Sequence, residues 1–298
     1  AKVCRMNSLS NCPMKSVVWF FLICVLSCNA ALACNKNTDG CVESEQFQLA
    51  VALGAGQRSN PLYDGDSFPM LILPDFSYYT ESWFIDNATV GYSLIQNDRF
   101  AASLVMRLNP EKGYFQRWFA GNVITMISTG SLLPPEVETG AEKSMSTVSV
   151  QDVGKRPTAL DAGLQLNWFG EQWQSRLNLW QDINSTYEGQ NISLSWSRFW
   201  PLAGGQFDLS TTLHWKSAKL IDTYYGVGED ELYYLERYNG RASVQPELRL
   251  GWQKELTSRW SVLTFYRYLH LDDAMTDSPL VQDDSVQTWF IGMVYRFY

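Results

Sequence analysis

Apolar side chains recur at every second residue in most of the chain after residue 45, with polar or small residues between them. This period of two is typical of β-strands, whereas an amphipathic helix would repeat near 3.6 residues. The clearest runs span 47–53, 102–108, 162–168, 192–196, 207–215, 244–252 and 289–297. Alternation over about ten residues, with aromatic residues near the ends, is the pattern of strands that cross a membrane. The chain is therefore predicted to be all-β and to form a closed antiparallel transmembrane β-barrel.

Composition excludes several other classes of protein. A helical membrane protein with several spans needs repeated runs of about 20 apolar residues, and this chain has one long apolar run, at 17–33. The 12 Trp, 15 Tyr and 15 Phe exclude a disordered chain, and the net charge of −8 argues against nucleic acid as a partner. A soluble β-sandwich is the alternative fold, but it would not place so many Trp residues at strand ends.

The first 33 residues have the features of a secretory signal peptide. A cationic residue precedes the apolar run, which ends in small residues up to Ala33; a helical anchor is the alternative. Residues 34–45 are predicted to form a periplasmic segment, in which Cys34 is either lipidated or paired with Cys41. All six Cys lie at or before position 41, so no thiol chemistry is expected in the barrel of residues 46–298.

Turn-forming residues divide the alternating segments in a regular way. Short turns are predicted at 96–98, 169–171, 201–205 and 254–258, and longer polar loops at 58–67, 110–157, 218–240 and 272–285. Outer-membrane barrels alternate short periplasmic turns with long extracellular loops in this manner. The spacing predicts twelve strands, with ten as the alternative, because Pro69 and Pro74 interrupt the pattern between 68 and 96.

The last strand is expected to pair with the first, because an open sheet edge is not stable in lipid. Its end carries Gly292, Tyr295, Phe297 and Tyr298. These residues resemble the C-terminal aromatic signal of bacterial outer-membrane proteins, which the barrel assembly machinery reads. Outer-membrane lipid and this machinery are therefore expected partners.

Several loop residues, in their order and spacing, point to one family. They are Pro61, Tyr63, Gly65, Tyr224, Tyr225, Gly226, Val227, Ser278 and Pro279. Across the mature chain, from residue 46 to 298, the sequence resembles the MipA/OmpV family of outer-membrane proteins. The resemblance implies a location in the outer membrane of a Gram-negative bacterium and a role as a scaffold. In that role the protein would bring together a lytic transglycosylase, which is a murein hydrolase, and a murein synthase.

Charged and polar residues on the second face of the strands are expected to line the barrel interior. The candidates are Arg107, Arg176, His214, Glu247, Arg249 and Arg296. We expect these charged residues, the four arginines and Glu247, to pair with Asp161, Asp208 or one another, because unpaired buried charge is costly. Such residues either fill the interior with a polar network or tune a narrow pore, and the filled interior is favoured.

Two further groups of residues invite a chemical interpretation. His214 has Ser195 and Ser197 as candidate neighbours on the preceding strand, but no G-x-S-x-G motif surrounds them. The last loop holds Asp272, Asp273, Asp277, Asp283 and Asp284. These carboxylates lack the spacing of a dedicated Ca²⁺ loop, so they are expected to be solvated. No cofactor and no metal site are predicted.

The expected function is therefore that of a non-enzymatic scaffold in the outer membrane. Its docking surface for periplasmic murein-handling proteins is expected at 96–98, 169–173, 200–206 and 253–259, or at 34–45. A porin-like channel for small solutes is the first alternative, and an outer-membrane lipid-modifying enzyme is the second. The apolar patch at 123–127, within the segment 110–157, is expected to be either a strand or an inward plug.

Overall fold

The computed structural model describes residues 47–116, 156–228 and 236–297. Most of these residues form strands, in keeping with the period of two in the sequence. The strands are β1 Phe47–Arg58, β2 Phe68–Pro69, β3 Ile72–Tyr79, β4 Trp83–Asp86, β5 Thr89–Gln96, β6 Phe100–Leu108, β7 Leu160–Phe169, β8 Trp173–Asp182, β9 Gln190–Leu202, β10 Gly205–Lys216, β11 Ser243–Glu255, β12 Trp260–His270 and β13 Ser285–Arg296. Within the same ranges, short helices occur in loops: α1 Lys112–Phe115, α2 Ala218–Tyr225 and α3 Asp273–Thr276.

The strands close into a barrel. From β3 onwards each strand pairs antiparallel with the next, and β13 pairs with β1 in a register that puts Arg296 opposite Ala50. Both β2 and β3 pair with β1, so they act as one strand interrupted at residues 70–71. The wall in the described ranges therefore has twelve strand positions, and the predicted count is confirmed.

The interruption lies where the prolines weaken the alternating pattern. Pro69 ends β2, and the following strand β3 contains Pro74. Beyond it, β4 is four residues long and turns back into β5 at Asn87, which has a φ of 51°. The Asn87 side chain accepts a hydrogen bond from Phe76 N at 3.2 Å and donates one to Asp75 Oδ1 at 2.9 Å. Asn tolerates this left-handed conformation better than most residues, so it fits the tight turn.

The two faces of the wall differ in chemistry, as the alternation predicts. On β9 and β10, Leu194 and Leu213 lie directly opposite each other and are about half exposed on the outer face. The next residues along these strands, Ser195 and Thr212, face the interior, and their hydroxyl groups are 3.0 Å apart. An apolar outer face is what contact with lipid requires.

Part of the barrel interior is filled by apolar side chains. This interior cluster consists of Ala50, Ala52, Phe68, Met70, Leu73, Leu263, Phe265, Phe290 and Val294. Gly54 and Gly292 lie opposite each other where β1 meets β13, and the ring of Phe290 lies close to both. A Cβ at Gly292 would lie 2.5 Å from Leu53 O, so only glycine allows this close approach at the closing seam.

Aromatic side chains pair near the strand ends that adjoin the short turns. Ring centroids of Trp83 and Tyr92 are 4.9 Å apart, and those of Trp260 and Tyr295 are 4.8 Å apart. Such rings at one end of the strands are typical of the aromatic girdle at a membrane interface.

No helix in the described part of the chain is long and apolar enough to span a membrane.

The predicted signal peptide at 1–33, the segment 34–45, the apolar patch at 123–127 and Tyr298 all lie outside the described residues. The predictions made for them therefore stay predictions.

Candidate functional site

The two ends of the barrel carry different connections. One end has the short turns 80–82, 97–99, 170–172, 203–204 and 256–259. The other has the long connections 59–67, 109–159, 183–189, 217–242 and 271–284, together with one short turn at 87–88. In outer-membrane barrels the short turns face the periplasm and the long loops face the cell exterior. We therefore name the first end the periplasmic rim and the second the outer end.

Side chains from the long connections pack together over the outer end. This outer cap consists of Leu62, Tyr114, Ala159, Tyr187, Leu220, Ile221, Tyr224, Tyr225, Val227, Leu271, Met275, Leu280, Val281 and Val286. Helix α2 places Leu220, Ile221, Tyr224 and Tyr225 in it, and all four are fully buried. The helix begins after Ser217, whose Oγ accepts a hydrogen bond from Leu220 N, as an N-cap residue does.

The residues that carry the family resemblance meet in this cap. Pro61 O accepts a hydrogen bond from Gln282 N at 2.7 Å, and Tyr63 N donates one to Leu280 O at 3.0 Å. Ser278 Oγ donates to Tyr225 O at 2.6 Å, which joins α2 to the loop after α3.

The other residues that carry the family resemblance lie next to the residues that make these contacts. Gly65 N donates to Leu62 O, and Gly226 N ends α2 by donating to Asp222 O. Val227 forms a β-bridge, and Pro279 lies between Ser278 and Leu280, which both make the contacts described above. The residues that carry the family resemblance therefore help to hold the outer cap together. Their spacing in the sequence did not predict this role.

A buried ion pair lies beneath the cap. Glu111 Oε1 is 2.6 Å from Lys216 Nζ, and Glu111 Oε2 accepts a hydrogen bond from Tyr225 Oη at 2.7 Å. Burial alone would raise the pKa of Glu111, but the charge of Lys216 and the hydrogen bonds from Lys216 and Tyr225 outweigh it and lower the pKa. Burial and the neighbouring carboxylate raise the pKa of Tyr225 well above 10. Glu111 is therefore a carboxylate that ties β10 to the cap.

Two of the acidic residues of the last loop make contacts that stabilise the outer end. Asp272 precedes α3 and accepts a hydrogen bond from Ala274 N at 2.9 Å, as a helix cap does. Asp277 forms an exposed ion pair with Arg241.

A polar cavity of about 310 Å³ lies in the barrel interior below the cap. Five of the six candidates predicted from the sequence line it: Arg107, Arg176, His214, Glu247 and Arg249. The sixth, Arg296, lies instead at the periplasmic rim, where it is 40% exposed and its Nη1 is 2.6 Å from Glu255 Oε1. The cavity extends from Gln174, the second residue after a short turn, to Glu111 beneath the cap.

Some of the expected ion pairs are present in the cavity wall. Arg107 Nε is 3.9 Å from Asp161 Oδ2, and Arg249 pairs with Asp208. Arg267, which was not predicted, also lies in the wall, with its Nε 3.4 Å from Glu247 Oε1. Arg267 lies among apolar residues on both faces of β12, so the alternation that marks an interior charge is hidden there.

The expected neighbours of His214 are wrong. The register puts Ser193 and Gln245 directly opposite His214, rather than Ser195 or Ser197. Ser193 Oγ accepts a hydrogen bond from Asn178 Nδ2 at 3.0 Å, and His214 Nε2 is 3.4 Å from Glu247 Oε2. Within the described residues, these side chains therefore form no pair of a nucleophile and its base.

Two residues of the predicted assembly signal, Gly292 and Tyr295, lie on the closing strand β13, and Phe297 follows it directly. Tyr295 and Phe297 have ring centroids 4.9 Å apart, and Phe297 N donates a hydrogen bond to Leu49 O at 2.9 Å. With Gly292 at the seam, they bring the chain end to the first strand, at the periplasmic rim.

Comparison with known proteins identifies the family. Residues 53–297 match the family described as MltA-interacting protein MipA, which is most of the barrel and its cap. The chain belongs to the MipA family. It is an outer-membrane protein of the MipA type, located in the outer membrane of a Gram-negative bacterium.

Two relatives show the extent of the similarity. The MltA-interacting protein of Escherichia coli strain K12 is 22% identical over 254 residues, which is 85% of this chain and 90% of the relative. The putative outer membrane protein YiaT of Escherichia coli O157:H7 is 22% identical over 256 residues, with 84% and 91% coverage. Both relatives are matched over nearly their full length.

Among solved structures the similarity is weaker. The NanC porin has a TM-score of 0.41 and 10% identity, with 83% of this chain and 98% of that chain covered. The anion-selective porin from Comamonas acidovorans has a TM-score of 0.35 and 11% identity, with 77% and 60% coverage. Similarity at this level carries no argument about function.

Proposed function

We propose that this protein is a non-enzymatic scaffold that docks a periplasmic murein hydrolase, a lytic transglycosylase, on the periplasmic rim. The main support is the relative named MltA-interacting protein, which is matched over 90% of its length. The matched residues 53–297 coincide with the barrel wall, its turns and its cap. A partner in the periplasm would reach this part of the chain only at the short turns, so the rim is the dock that the fold offers. A murein synthase and the barrel assembly machinery are proposed as further partners.

The chemistry of the rim suits contact with another protein. Its turns carry charges of both signs, such as Glu81, Asp98 and Arg259, and exposed leucines lie beside them. Leu202 and Leu256 are 51% and 50% exposed. Apolar side chains within a polar surround are typical of interfaces between proteins that also exist apart.

Geometry favours this proposal over the two alternatives. The outer cap covers the end of the barrel through which a solute would leave, and its central residues are fully buried. A lipid-modifying enzyme would need a base within hydrogen-bond reach of its nucleophile. His214 instead lies beside Glu247, and Ser195 accepts a hydrogen bond from Thr212.

In-cell photo-crosslinking tests the dock. A photoreactive amino acid is placed singly at Asp98, Glu171 and Leu256 on the rim, and at the exposed cap positions Lys219 and Arg241 as controls. Mass spectrometry then identifies the captured proteins. We expect a lytic transglycosylase from the rim positions and not from the cap. Capture of no cell-wall enzyme from any rim position would refute the proposal, and equal capture from the cap would show that contact is unspecific.

A further inference from the structure

The cavity in the barrel interior presents more positive than negative charge. Among the described residues that line it, the cations are Arg58, Arg107, Arg176, Lys216, Arg249 and Arg267, and the acids are Asp86, Glu111 and Glu247. Asp161 and Asp208 balance Arg107 and Arg249 from positions that the cavity does not touch. The surface that a molecule in the cavity would meet is thus cationic, and a cavity lined by one sign of charge concentrates ions of the other sign.

Arg176 is the most informative of these cations. It projects from β8 opposite Asn167 and Ser195, and its Nε donates a hydrogen bond to Asn167 Oδ1 at 2.8 Å. No acidic side chain among the described residues lies within ion-pair distance of it. Asp86 acts on Arg176 through its charge from beyond ion-pair distance. A guanidinium that faces a cavity and makes one hydrogen bond, to a neutral amide, keeps several donors for an anion.

Two arginines also lie side by side on neighbouring strands of the wall. Arg249 on β11 and Arg267 on β12 are directly opposite in the register, and both line the cavity. Like charges directly opposite each other destabilise a sheet unless something offsets their repulsion. Asp208 pairs with Arg249, and Glu247 pairs with Arg267 but also lies beside His214. An anion in the cavity would add to the offset that these two carboxylates provide.

Polar atoms around the cavity lack hydrogen-bond partners. Arg107 Nε, Arg267 Nε, His214 Nε2, Asn178 Oδ1 and Gln245 Oε1 are buried and make no hydrogen bond with any described residue. Buried polar groups without a partner are rare in folded proteins. Arg107 Nε, Arg267 Nε and His214 Nε2 lie 3.4–3.9 Å from the carboxylates of their ion pairs. Asn178 Oδ1 and Gln245 Oε1 have neither kind of partner among the described residues, so they are the acceptors that the hydroxyl groups of a ligand would satisfy.

We propose that the cavity binds a small hydroxylated organic anion, either a sugar acid or a sugar phosphate. Arginine forks recognise carboxylate and phosphate groups through paired charge-assisted hydrogen bonds. The serine and threonine hydroxyls of β9 and β10, with the amides of Asn178 and Gln245, are suited to sugar hydroxyls. The volume of about 310 Å³ is at the lower end of the range of ligand pockets and suits a single sugar unit.

Isothermal titration calorimetry on the purified full-length protein in detergent micelles tests this site. The probes are D-glucuronate for the carboxylate class, glucose 6-phosphate for the phosphate class, and glucose as the neutral control. We expect at least one anion to bind at least about tenfold more tightly than glucose, because charge-assisted hydrogen bonds are about twice as strong as neutral ones. Added salt should weaken that binding.

Two matched variants assign the binding to the cavity. Arg176→Gln removes one of the cations that line the cavity, and Arg198→Gln makes the same change at an exposed arginine on β9. We expect the first to weaken the anion about tenfold or more and the second to leave its Kd unchanged. Arg267→Gln serves in place of Arg176→Gln if the latter does not give a folded, heat-modifiable barrel. Equal binding of glucose and both anions by the wild type, or equal effects of the two glutamine variants, would overturn the proposal.

Discussion

Replacing Lys216 with Met tests whether the ion pair beneath the cap holds the outer end closed. Lys216 and Glu111 are 6% and 4% exposed, and their charged atoms are 2.6 Å apart. The substitution keeps a long side chain but leaves the Glu111 carboxylate buried with Tyr225 as its remaining hydrogen-bond donor. The cap should therefore open more readily, while the barrel wall should stay intact.

The burial of this ion pair determines how much stability the cap should lose. Removing one partner of a buried ion pair costs about 3–5 kcal/mol, because the other charge is left uncompensated. Tyr225→Phe removes only the hydrogen bond to the same carboxylate and should cost about 1.5–3 kcal/mol. Lys219→Met is the matched control. Lys219 lies three residues after Lys216 and forms an exposed pair with Glu188, and an exposed pair contributes less than about 1 kcal/mol.

Hydrogen–deuterium exchange of the α2 amides measures the opening of the cap. Ile221 N and Gly226 N donate to Ser217 O and Asp222 O, so they exchange only when this turn opens. A loss of 3–5 kcal/mol corresponds to exchange faster by roughly two to three and a half orders of magnitude. Lys216→Met should show this acceleration, and Lys219→Met should show less than about a fivefold change.

The pH dependence gives an independent check with a defined sign. The native pKa of Glu111 is below its ordinary value of 4.5, so its contribution is complete above that value and is lost as the pH falls through the native pKa. Without Lys216, burial is the main remaining influence, so the native pKa should rise and the defect should shrink on acidification. Exchange in Lys216→Met that matches the wild type, or a defect that grows towards acidic pH, would refute the reasoning.

Three further predictions concern the wall. Asn87→Ala should lower the free energy of unfolding by at least about 2 kcal/mol, since it removes the hydrogen bonds to Phe76 and Asp75 and leaves Ala at a positive φ; chemical denaturation in micelles measures this, and an unchanged midpoint would contradict it. Leu194→Arg on the lipid face should cost about 2–4 kcal/mol in the same assay, and a cost below that range would argue against membrane contact there. Gly292→Val should abolish the heat-modifiable folded band on gels, because the seam has no room for a side chain; a normal yield of folded barrel would show that the seam adapts.

The sequence predicted the wall well because a barrel wall depends on local pattern. Each strand needs only apolar residues at alternate positions, and short turns separate the strands, so the count of twelve follows from neighbours in the chain. The break at Pro69 and Pro74 was visible for the same reason. The exact partner of His214 was not predicted, because pairing two strands two residues differently keeps every apolar side chain on the same face.

The cap could not be predicted in this way. Its members run from Leu62 to Val286, and contacts such as that between Tyr225 and Glu111 join residues 114 positions apart. A repeat in the sequence of one loop cannot predict a contact with a residue so far away in the chain. The aromatic residues of α2 lie in the segment 218–240, which the sequence predicts to be a polar loop, yet they are fully buried in the cap.

The cap and the proposed dock lie at opposite ends of the barrel, and this separation makes a prediction. The residues that carry the family resemblance pack in the cap, whereas a periplasmic partner would touch the rim near Glu171. The barrel wall between the ends is a closed hydrogen-bonded sheet, which transmits little of a local opening in a loop. Tyr225→Phe should therefore speed exchange in α2 and leave the crosslinking yield from Glu171 unchanged. A parallel loss of the crosslink would mean that closure of the outer end controls the dock, and the two ends would then have to be treated as one coupled site.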